Sequence, residues 1–289
     1  MANRRAVLVT GASTGIGETV TQQLASRGYL VIAGVRRPED GDRLRATLAD
    51  RVHPLQLDVT RPAEIEAAAR SVAALTGAAG LAGLVNNAGI AVGGPLEYVP
   101  VDLVRRQFEV NVFGLLAITQ AMLPLLRIAR GRIVNIGSIA GIATTPMVGP
   151  YCMSKHAVEA LTDGLRLELA DAGIAVAVVE PGAVKTPIWE KGISQLAEAE
   201  RQFPPIAMER YGRMIRFFGK LLHANNARGT PPDAVADAVV HALEADPPRT
   251  RYLIGRDARI RAFITRVLPD RVGDGILRLA LARMERRLT

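Results

Sequence analysis

The chain has 289 residues, of which 49% are hydrophobic, 22% charged and 4% aromatic. This composition supplies ample apolar material for a core and excludes a disordered or collagen-like chain. The single cysteine, Cys152, excludes an intramolecular disulfide, and the four scattered histidines form no cluster with metal-ligand spacing. We therefore expect a globular protein of a reducing, cytoplasmic compartment, without a bound metal.

Most apolar runs in the chain are short, β-rich and continuous rather than alternating, which is typical of strands buried on both faces of a sheet. Seven runs of this kind occur, the last of them weaker, at Ala6–Thr10, Leu30–Val35, Val52–Leu57, Leu81–Val85, Arg132–Ile136, Ile174–Val179 and Arg251–Ile254. Helical patterns lie between them at Gly15–Ser26, Pro62–Leu75, Val101–Leu126, Ser154–Ala172 and Pro231–Ala245. This alternation predicts an α/β fold with one doubly wound parallel sheet and helices on both faces.

No linker rich in proline, glycine or serine and no internal repeat divides the chain, so we expect a single domain over residues 1–255. Residues 187–228 form an insertion in this domain, and residues 256–289 follow it as a helical tail. The N-terminal apolar run is too short for a signal-peptide core. Ile174–Val179, the longest purely apolar run in the second half, falls far below the roughly 18 residues of a membrane span. We expect neither export nor a membrane crossing.

A glycine-rich turn joins the first strand to the first helix. It reads Thr10-Gly11-Ala12-Ser13-Thr14-Gly15-Ile16-Gly17. In such a turn, backbone amides and a helix N-terminus can face a pyrophosphate, and the glycines allow its close approach. The GxxxGxG spacing differs from the general GxGxxG fingerprint, and a lone glycine turn after a strand is often only a tight turn.

Two arginines, Arg36 and Arg37, follow the second strand, about 20 residues after the glycine turn. At this position a dinucleotide site needs an acid for a ribose 2′-hydroxyl or an arginine for a 2′-phosphate. Because a guanidinium can hold a phosphate bidentately, the pair favours NADP(H), with NAD(H) still possible. The alternative is that both are solvated arginines at a strand end, partly neutralised by Glu39 and Asp40.

A serine, a tyrosine and a lysine form the candidate catalytic set. Ser138 follows the fifth strand, and Tyr151 and Lys155 lie four residues apart on one face of the next helix. A phenol, whose ordinary pKa is near 10, is a poor base at neutral pH, so we expect the Lys155 ammonium and an oxidised nicotinamide to favour the phenolate. Ser138 can donate a hydrogen bond to a substrate oxygen where charge develops.

In their order along the chain, these motifs resemble the short-chain dehydrogenase/reductase family. The likeness covers roughly Ala6 to Gly255. Thr10–Gly17 matches the TGxxxGIG turn of the family, Leu57-Asp58-Val59 matches its adenine contact, and Asn86-Asn87-Ala88-Gly89 matches its NNAG motif. The likeness continues through Asn111, Ser138, Tyr151, Lys155 and Pro181-Gly182 with Thr186. The resemblance implies a Rossmann-type sheet, and it makes 1–255 a dinucleotide-binding catalytic domain whose substrate lid is 187–228. It also implies a homodimer or homotetramer through the helices near Val101–Leu126 and Ser154–Ala172.

The resemblance also assigns roles to single residues. Asp58 and Val59 would hold the adenine, and Asn87, Ala88 and Gly89 would line the cofactor cleft, together with Pro181, Gly182 and Val184. Lys155 would bind the nicotinamide ribose, Asn111 would order a water in the proton relay, and Thr186 would touch the carboxamide. The expected site consists of these residues together with Gly11, Ser13, Thr14, Gly15, Ile16, Gly17, Arg36, Arg37, Ser138 and Tyr151.

The lid is rich in apolar side chains, which suits an apolar alcohol or carbonyl substrate. They are Ile188, Trp189, Phe203, Ile206, Met208, Tyr211, Met214, Ile215, Phe217, Phe218 and Leu221. Local phrases, such as Tyr151–Lys155 and Pro248–Tyr252, resemble the retinol and 17β-hydroxysteroid dehydrogenase branch of the family. Alternatively, the lid residues only pack against the body.

The alternative function is a cofactor-binding sensor without turnover, which the intact Ser138, Tyr151 and Lys155 disfavour.

Positive charge is concentrated near the C-terminus. Residues 249–289 contain eleven arginines and four acids, a net charge of +7 out of +8 for the whole chain. Two apolar sets with helical spacing predict two basic amphipathic helices: Ile260, Phe263, Ile264, Val267 and Leu268, then Val272, Ile276, Leu279 and Leu281. These helices either dock on the body or a second subunit as a rim of the substrate pocket, or contact an anionic membrane peripherally. Nucleic-acid binding is disfavoured, because the tail has no aromatic stacking platform.

Overall fold

One parallel seven-stranded sheet organises the computed structural model, which describes residues 5–187, 192, 200–201 and 203–288, with the side chains at 225–226 and 287–288 excepted. The strand order is β3-β2-β1-β4-β5-β6-β7. The strands are β1 (Ala6–Thr10), β2 (Leu30–Val35), β3 (Val52–Gln56), β4 (Gly83–Asn86), β5 (Arg132–Ile136), β6 (Ala175–Pro181) and β7 (Arg251–Ile254). The prediction of a doubly wound parallel sheet is confirmed, and every predicted strand is present within two residues of its expected ends.

Helices cover both faces of the sheet. They are α1 (Gly15–Ser26), α2 (Pro38–Leu48), α3 (Pro62–Thr76), α4 (Val101–Phe108), α5 (Leu115–Ala129), α6 (Gly149–Glu168), α7 (Pro205–Arg228), α8 (Pro232–Glu244), α9 (Arg256–Val267) and α10 (Asp270–Leu288). Helices α1, α2 and α8 pack on one face, where Leu24, Leu44 and Val239 are buried. Helices α3, α5 and α6 pack on the other face, with Met122 and Leu126 fully buried.

Two helices differ from the sequence expectation. Helix α2 was not predicted, because its polar sequence carries too few apolar residues to mark a helical stripe; it packs through Leu44 and the close approach of Gly41 to Pro54. Helix α6 begins at Gly149 rather than Ser154, with Pro150 in its first turn, where a missing amide costs no hydrogen bond. The earlier start places Tyr151 inside the helix together with Lys155.

The order of the strands fixes where a ligand site can form. Strand β1 pairs with β2 on one side and with β4 on the other, so the direction of winding reverses beside β1. In open α/β sheets, ligands bind at such a switch point, beyond the carboxyl ends of the strands. The glycine turn after β1 and the loops after β4, β5 and β6 all lie at this edge.

The helical stretch Val101–Ala129 is long and apolar enough to cross a membrane by length and composition alone. It consists of α4, a π-helical segment over Glu109–Gly114, and α5. A core helix passes the same test, and the buried side chains of Ile118 and Met122 pack in the core on the sheet. The stretch is therefore weak evidence for a membrane span.

Both predicted tail helices are present, as α9 and α10. Helix α9 buries Ala258 and Ala262 against Ile139 and Ala143 of the loop after β5. Helix α10 contacts α7, where Arg213 and Glu285 form a bidentate ion pair with N–O distances of 2.7 and 3.0 Å. The described part of the tail therefore packs along the catalytic body.

Candidate active site

The glycine turn after β1 is closely packed against the loop after β4. Gly11 has φ +63°, and a Cβ atom there would lie 2.9 Å from the Cα atom of Ala88. A Cβ atom at Gly17 would overlap the carbonyl oxygen of Gly11. The side-chain amide of Asn87 donates to the carbonyls of Thr10 and Gly11 at 3.0 and 2.9 Å. Any side chain at Gly11 or Gly17 would therefore disrupt the turn.

A cavity of about 1150 Å³ opens at this edge of the sheet. Its wall includes most of the expected site residues: Gly11, Ser13, Thr14, Gly15, Ile16, Arg36, Asp58, Val59, Asn87, Ala88, Gly89, Ser138, Tyr151, Lys155, Pro181, Gly182, Val184 and Thr186. Three expected residues, Gly17, Arg37 and Asn111, lie outside the wall. Tertiary structure thus brings together motifs that are as far as 175 positions apart in sequence, from Gly11 to Thr186.

The two arginines after β2 have different surroundings. Arg36 lines the cavity. The side chain of Arg37 is 73% exposed and forms a bidentate ion pair with Asp40, with N–O distances of 3.0 and 3.2 Å. Only Arg36 is positioned to meet a ligand, while Arg37 is the solvated, neutralised arginine of the alternative interpretation. The sequence did not predict a role for Arg43 of α2 at this turn. Arg43 donates to the Ser13 carbonyl at 2.5 Å and pairs with Glu18.

Asp58 lines the cavity, and its carboxylate is held by Thr60. The amide and the hydroxyl of Thr60 donate to Asp58 Oδ1 at 3.0 and 2.7 Å. Burial alone would raise the pKa of Asp58, but the Thr60 hydrogen bonds and the charges of Arg36 and Arg61 lower it below its ordinary value. Asp58 is therefore an ionised acceptor at neutral pH.

Ser138, Tyr151 and Lys155 meet at the cavity wall between β5 and α6. The Ser138 hydroxyl donates to the Pro181 carbonyl at 3.5 Å and accepts from the Ala140 amide at 3.1 Å, and it acts to lower the pKa of the neighbouring Tyr151 phenol. The Lys155 ammonium lies 5.7 Å from the centroid of the Tyr151 ring and donates to the Ile136 carbonyl at 2.7 Å. This arrangement places a proton donor, a hydroxyl and a cation around one point of the cavity.

Burial has the dominant effect on the pKa of both titratable members of this set. It raises the pKa of Tyr151 to about 12, although the Ser138 hydroxyl acts in the opposite direction. It lowers the pKa of Lys155 to about 8, and the nearby charge of Glu159 partly offsets this. Burial of the phenol outweighs the effect of the Ser138 hydroxyl. The expectation that Lys155 and an oxidised nicotinamide together favour the phenolate stays a prediction.

Asn111 lies in the π-helical segment between α4 and α5, a kind of distortion that is frequent at functional sites. Its amide nitrogen donates to the Ile90 carbonyl at 2.9 Å and to Ser154 Oγ at 3.0 Å, and its oxygen accepts from the Ile90 amide at 2.9 Å. The side chain thus ties the loop after β4 to α6, one residue before Lys155. Asn111 therefore connects these two elements by hydrogen bonds.

Behind the site, two glutamates share one arginine in the interior. Glu159 of α6 and Glu180 of β6 are buried, and both pair with Arg251 of β7, which also donates to Asp163 at 2.7 Å. Glu159 Oε1 and Glu180 Oε2 find no hydrogen-bond donor among the described residues. The two carboxyls contact the same nitrogen of Arg251, and burial together with the charge of Glu180 raises the pKa of Glu159, so a proton held by the pair relieves their repulsion.

The far side of the cavity is largely apolar and comes from α7 and the tail. The residues are Phe218, Leu221 and Leu222 of α7, and Ile260, Ile264, Leu268, Ile276, Leu277, Leu281 and Met284 of the tail region. Of the expected lid residues, Ile188 and Trp189 lie outside the described residues. Arg261 and Thr145 also line the cavity. The sequence predicted neither as a site residue, because no local pattern joins α9 to the loop after Ser138.

Comparisons with known proteins agree with this geometry. A family model described as short chain dehydrogenase matches residues 5–197. The chain is 35% identical over 277 residues to the NADPH-dependent 3-dehydrocapnine reductase of Ornithobacterium rhinotracheale, over 94% of this chain and 95% of that protein. It is 37% identical over 286 residues to retinol dehydrogenase 5 of Mus musculus, over 96% of this chain and 89% of that protein.

Comparison with solved structures also finds short chain dehydrogenases. A short chain dehydrogenase from Burkholderia cenocepacia J2315 in complex with NADP is 27% identical, with a TM-score of 0.70 over 98% of this chain and 99% of that one. The chain therefore belongs to the short-chain dehydrogenase family and is a NAD(P)-dependent oxidoreductase.

The described residues fit a nicotinamide dinucleotide. Thr14, the N-cap of α1, makes no side-chain capping bond, so the first amides of this helix remain available to an anion beside the glycine turn. Arg36 and Asp58 line the cavity and would suit an adenosine, and Lys155 and Thr186 line it together with Tyr151. Pyrophosphate, ribose and nicotinamide would each meet groups of suitable chemistry.

Proposed function

We propose that the protein interconverts an apolar alcohol, primary or secondary, with its aldehyde or ketone, with NADP(H) preferred over NAD(H). The observation that carries this proposal is that Ser138, Tyr151 and Lys155 line the same cavity as the apolar side chains of α7 and the tail, with the Lys155 ammonium 5.7 Å from the centroid of the Tyr151 ring. A proton donor next to an apolar chamber suits reduction of a hydrophobic carbonyl.

Tyr151 is the acid/base of the proposed reaction. In reduction the phenol donates its proton to the carbonyl oxygen, and in oxidation the phenolate accepts the hydroxyl proton. Ser138 donates a hydrogen bond to the same oxygen while charge develops there. A bound nicotinamide supplies or accepts the hydride. Because burial raises the pKa of Tyr151 to about 12, the phenol is neutral near pH 7, and the neutral phenol is the form that donates a proton in reduction.

Lys155 has two roles in this proposal. Its ammonium neighbours the phenol and can meet the hydroxyls of a nicotinamide ribose at the same time. The bond to the Ile136 carbonyl holds the ammonium at the end of β5, and the nearby Glu159 charge favours the protonated form. Asn111 supports this arrangement by fixing Ser154, the neighbouring residue on α6. A water ordered near Asn111 would carry protons between Lys155 and solvent.

The preference for NADP(H) rests on Arg36. It lines the cavity beside Asp58, where the ribose of an adenosine would lie, whereas no acidic side chain follows β2 directly. A relative with 35% identity is named as NADPH-dependent, which agrees with this assignment. Arg37 contributes little, because it is exposed and paired with Asp40.

The substrate class follows from the apolar wall and from the relatives. Phe218, Leu222 and Ile264 line the same cavity as Tyr151. Relatives at 35–37% identity are named for retinol and for 17-beta-hydroxysteroid. A steroid-, retinoid- or lipid-like substrate is therefore the proposal, with the polar carbonyl at Ser138 and Tyr151 and the apolar body against α7 and the tail.

A panel of steroids, retinoids and simple ketones with NADPH, followed by the absorbance of the cofactor, tests this proposal. Turnover of at least one apolar carbonyl, with weaker activity on small polar ketones, is the expected result. A protein that binds NADPH tightly but turns over no member of the panel would instead be the cofactor-binding sensor of the alternative interpretation.

We propose that two copies or four copies of the chain assemble through the helices flanking the site. Exposed apolar side chains on these helices support this: Phe113 and Ile128 on the Val101–Ala129 stretch, and Met153 and Leu167 on α6. Sedimentation equilibrium would report the number of subunits. A polar substitution such as Phe113→Glu should shift the assembly toward monomer, whereas a monomeric unaltered protein would refute the assembly.

Peripheral membrane contact through the tail is the alternative to a purely intramolecular role. Phe263, Val267 and Leu279 are exposed on α9 and α10 among the tail arginines, and they support this alternative. Sedimentation with anionic vesicles at low and high salt decides between them. Binding that falls with salt and disappears in a chain lacking residues 256–289 supports a membrane-peripheral enzyme, and no binding at low salt leaves a cytoplasmic one.

A further inference from the structure

Helix α9 places a guanidinium group against the substrate side of the cavity. Arg261 lines the cavity, and its Nη2 atom donates to the Ala143 carbonyl at 2.8 Å and to Thr145 Oγ1 at 2.6 Å. Both acceptors lie on the loop between Ser138 and Tyr151. This cation therefore stands next to the segment that carries the reacting groups, although it comes from the C-terminal tail.

The charge of Arg261 is not neutralised by any ion pair within the described ranges. Burial lowers the pKa of Arg261, and the charge of Asp257 acts in the opposite direction without outweighing burial. Asp257, one turn earlier on α9, instead accepts a hydrogen bond from the Ala183 amide at 3.0 Å and packs against Gly182. A partly desolvated guanidinium without a carboxylate partner is costly in an apolar chamber unless a ligand supplies the anion.

Two of the three nitrogens of this guanidinium remain available. The hydrogen bonds to Ala143 and Thr145 both use Nη2, and no bond from Nε or Nη1 is found to any residue that the structure describes. Nη1 keeps two N–H groups that can donate to an oxygen of an oxyanion, and Nε keeps one N–H group on another side of the guanidinium. The bonds through Nη2 hold the guanidinium in place, so little rotamer freedom remains to be lost on binding.

The residues around Arg261 indicate the chemistry of the rest of the ligand. Ile264 and Leu268, on the following turns of α9, and Leu222 of α7 line the same side of the cavity. Asp270 and Asp274 also belong to the wall but are exposed at its rim, where solvent screens their charge. A ligand that satisfies this wall has a long apolar part and an anionic group at one position.

We infer that Arg261 binds an oxyanion, such as a carboxylate, sulfonate or phosphate, on an otherwise apolar substrate. This inference rests on the proposed function for the carbonyl end of that substrate, at Ser138 and Tyr151. It narrows the substrate from a neutral steroid- or retinoid-like molecule to an anionic amphiphile. Arg261 thereby determines specificity without taking part in proton or hydride transfer.

Binding of decanoate and of methyl decanoate to the NADPH-saturated protein, measured by calorimetry, tests this inference without turnover. The unaltered protein should bind decanoate about 10- to 100-fold more tightly, the range of a hydrogen bond between charged groups. Arg261→Met should remove this preference and leave the affinity for methyl decanoate within about threefold. Arg259→Met, on the exposed side of the same helix, is the matched control and should retain the preference.

A purely structural role for Arg261 predicts a different outcome. If the side chain only anchors α9, Arg261→Met lowers the affinity for acid and ester alike, and Thr145→Val, which removes one anchor but keeps the guanidinium, does the same. On the inference drawn here, Thr145→Val retains the preference for the acid. Equal binding of acid and ester by the unaltered protein also overturns the inference.

Turnover of 3-, 5- and 9-oxodecanoate and of their methyl esters separates this inference from the proposed function. Reduction of both forms at equal rates, with Arg261→Met unchanged, refutes the role of Arg261 and leaves the carbonyl reductase assignment intact. Tight binding of decanoate without reduction of any carbonyl in this series or in the steroid and retinoid panel refutes the proposed reaction and leaves the oxyanion site intact.

Discussion

The carboxyl groups of Glu159 and Glu180 share the Nη1 atom of Arg251 in the interior, with 2.9 Å between this nitrogen and Glu180 Oε1. The pair connects α6, which carries Tyr151 and Lys155, to β6, whose end forms part of the cofactor cleft. Two adjacent carboxylates repel each other, so the arrangement is stable when the pair holds one proton. A Cβ atom at Gly137, next to Ser138, would lie 2.8 Å from Glu159 Oε1, which shows how close this pair is to the site.

The first prediction concerns stability and pH. Burial, followed by the charge of Glu180, raises the pKa of Glu159 to about 7 from its ordinary value of 4.5. A carboxyl whose pKa is raised on folding contributes its stability below about pH 4.5 and loses it as the pH rises through about 7. Glu159→Gln should therefore flatten the decrease in free energy of unfolding over this window, measured by urea denaturation.

Asp163→Asn is the matched control for this prediction, because Asp163 also pairs with Arg251 but has its pKa lowered, by hydrogen bonds and charges of Arg166 and Arg251 that outweigh burial. Its loss should shift stability almost equally between about pH 5 and 8. A slope in Glu159→Gln identical to that of the unaltered protein would show that Glu159 does not titrate in this range.

The second prediction separates proton transfer from binding. Tyr151→Phe should abolish turnover and leave NADPH affinity within about threefold, because only the phenol oxygen carries the proton. Lys155→Ala should reduce both turnover and NADPH affinity, since the ammonium neighbours the phenol and the expected ribose site. Steady-state assays and fluorescence titration of NADPH measure the two quantities. Substantial turnover by Tyr151→Phe would remove Tyr151 from the mechanism.

The third prediction uses the two neighbouring arginines as a pair. Arg36→Asp should weaken NADPH about 10- to 100-fold and NADH far less, because a charged hydrogen bond to the 2′-phosphate is replaced by repulsion. Arg37→Asp makes the same charge change on an exposed side chain and should weaken NADPH by less than about threefold. If the unaltered protein binds NADH more tightly in a titration, the assignment of NADP(H) is wrong.

The fourth prediction concerns the glycine turn. Gly17→Ala would push a methyl group against the Gly11 carbonyl, and we expect a loss of about 1–3 kcal/mol in the free energy of unfolding together with weaker NADPH binding. Gly164→Ala, at a helical position with open space around it, should instead stabilise the protein by about 0.5–1 kcal/mol. Thermal and urea denaturation of both variants report the difference, and a neutral Gly17→Ala would contradict the close packing of the turn.

Sequence alone determined the features that depend on local chemistry. The parallel sheet follows from continuous apolar runs alternating with helical patterns. The glycine turn and the pair Tyr151 and Lys155 follow from spacing within one turn or one helix. Helix α2 escaped prediction because Leu44 and Leu48 are too few to mark an apolar stripe, and it forms through packing on β3. Periodicity reports a buried face only where enough apolar residues repeat.

Only the tertiary structure decided how charges far apart in sequence meet. Arg36 lines the cavity and Arg37 pairs with Asp40, although the two residues are identical and adjacent. Arg251 joins Glu159 to Glu180, and Arg261 reaches the loop after Ser138 from the tail. A charge on a long side chain is stabilised by whichever partners the fold supplies, so its role depends on burial and distance rather than on local sequence.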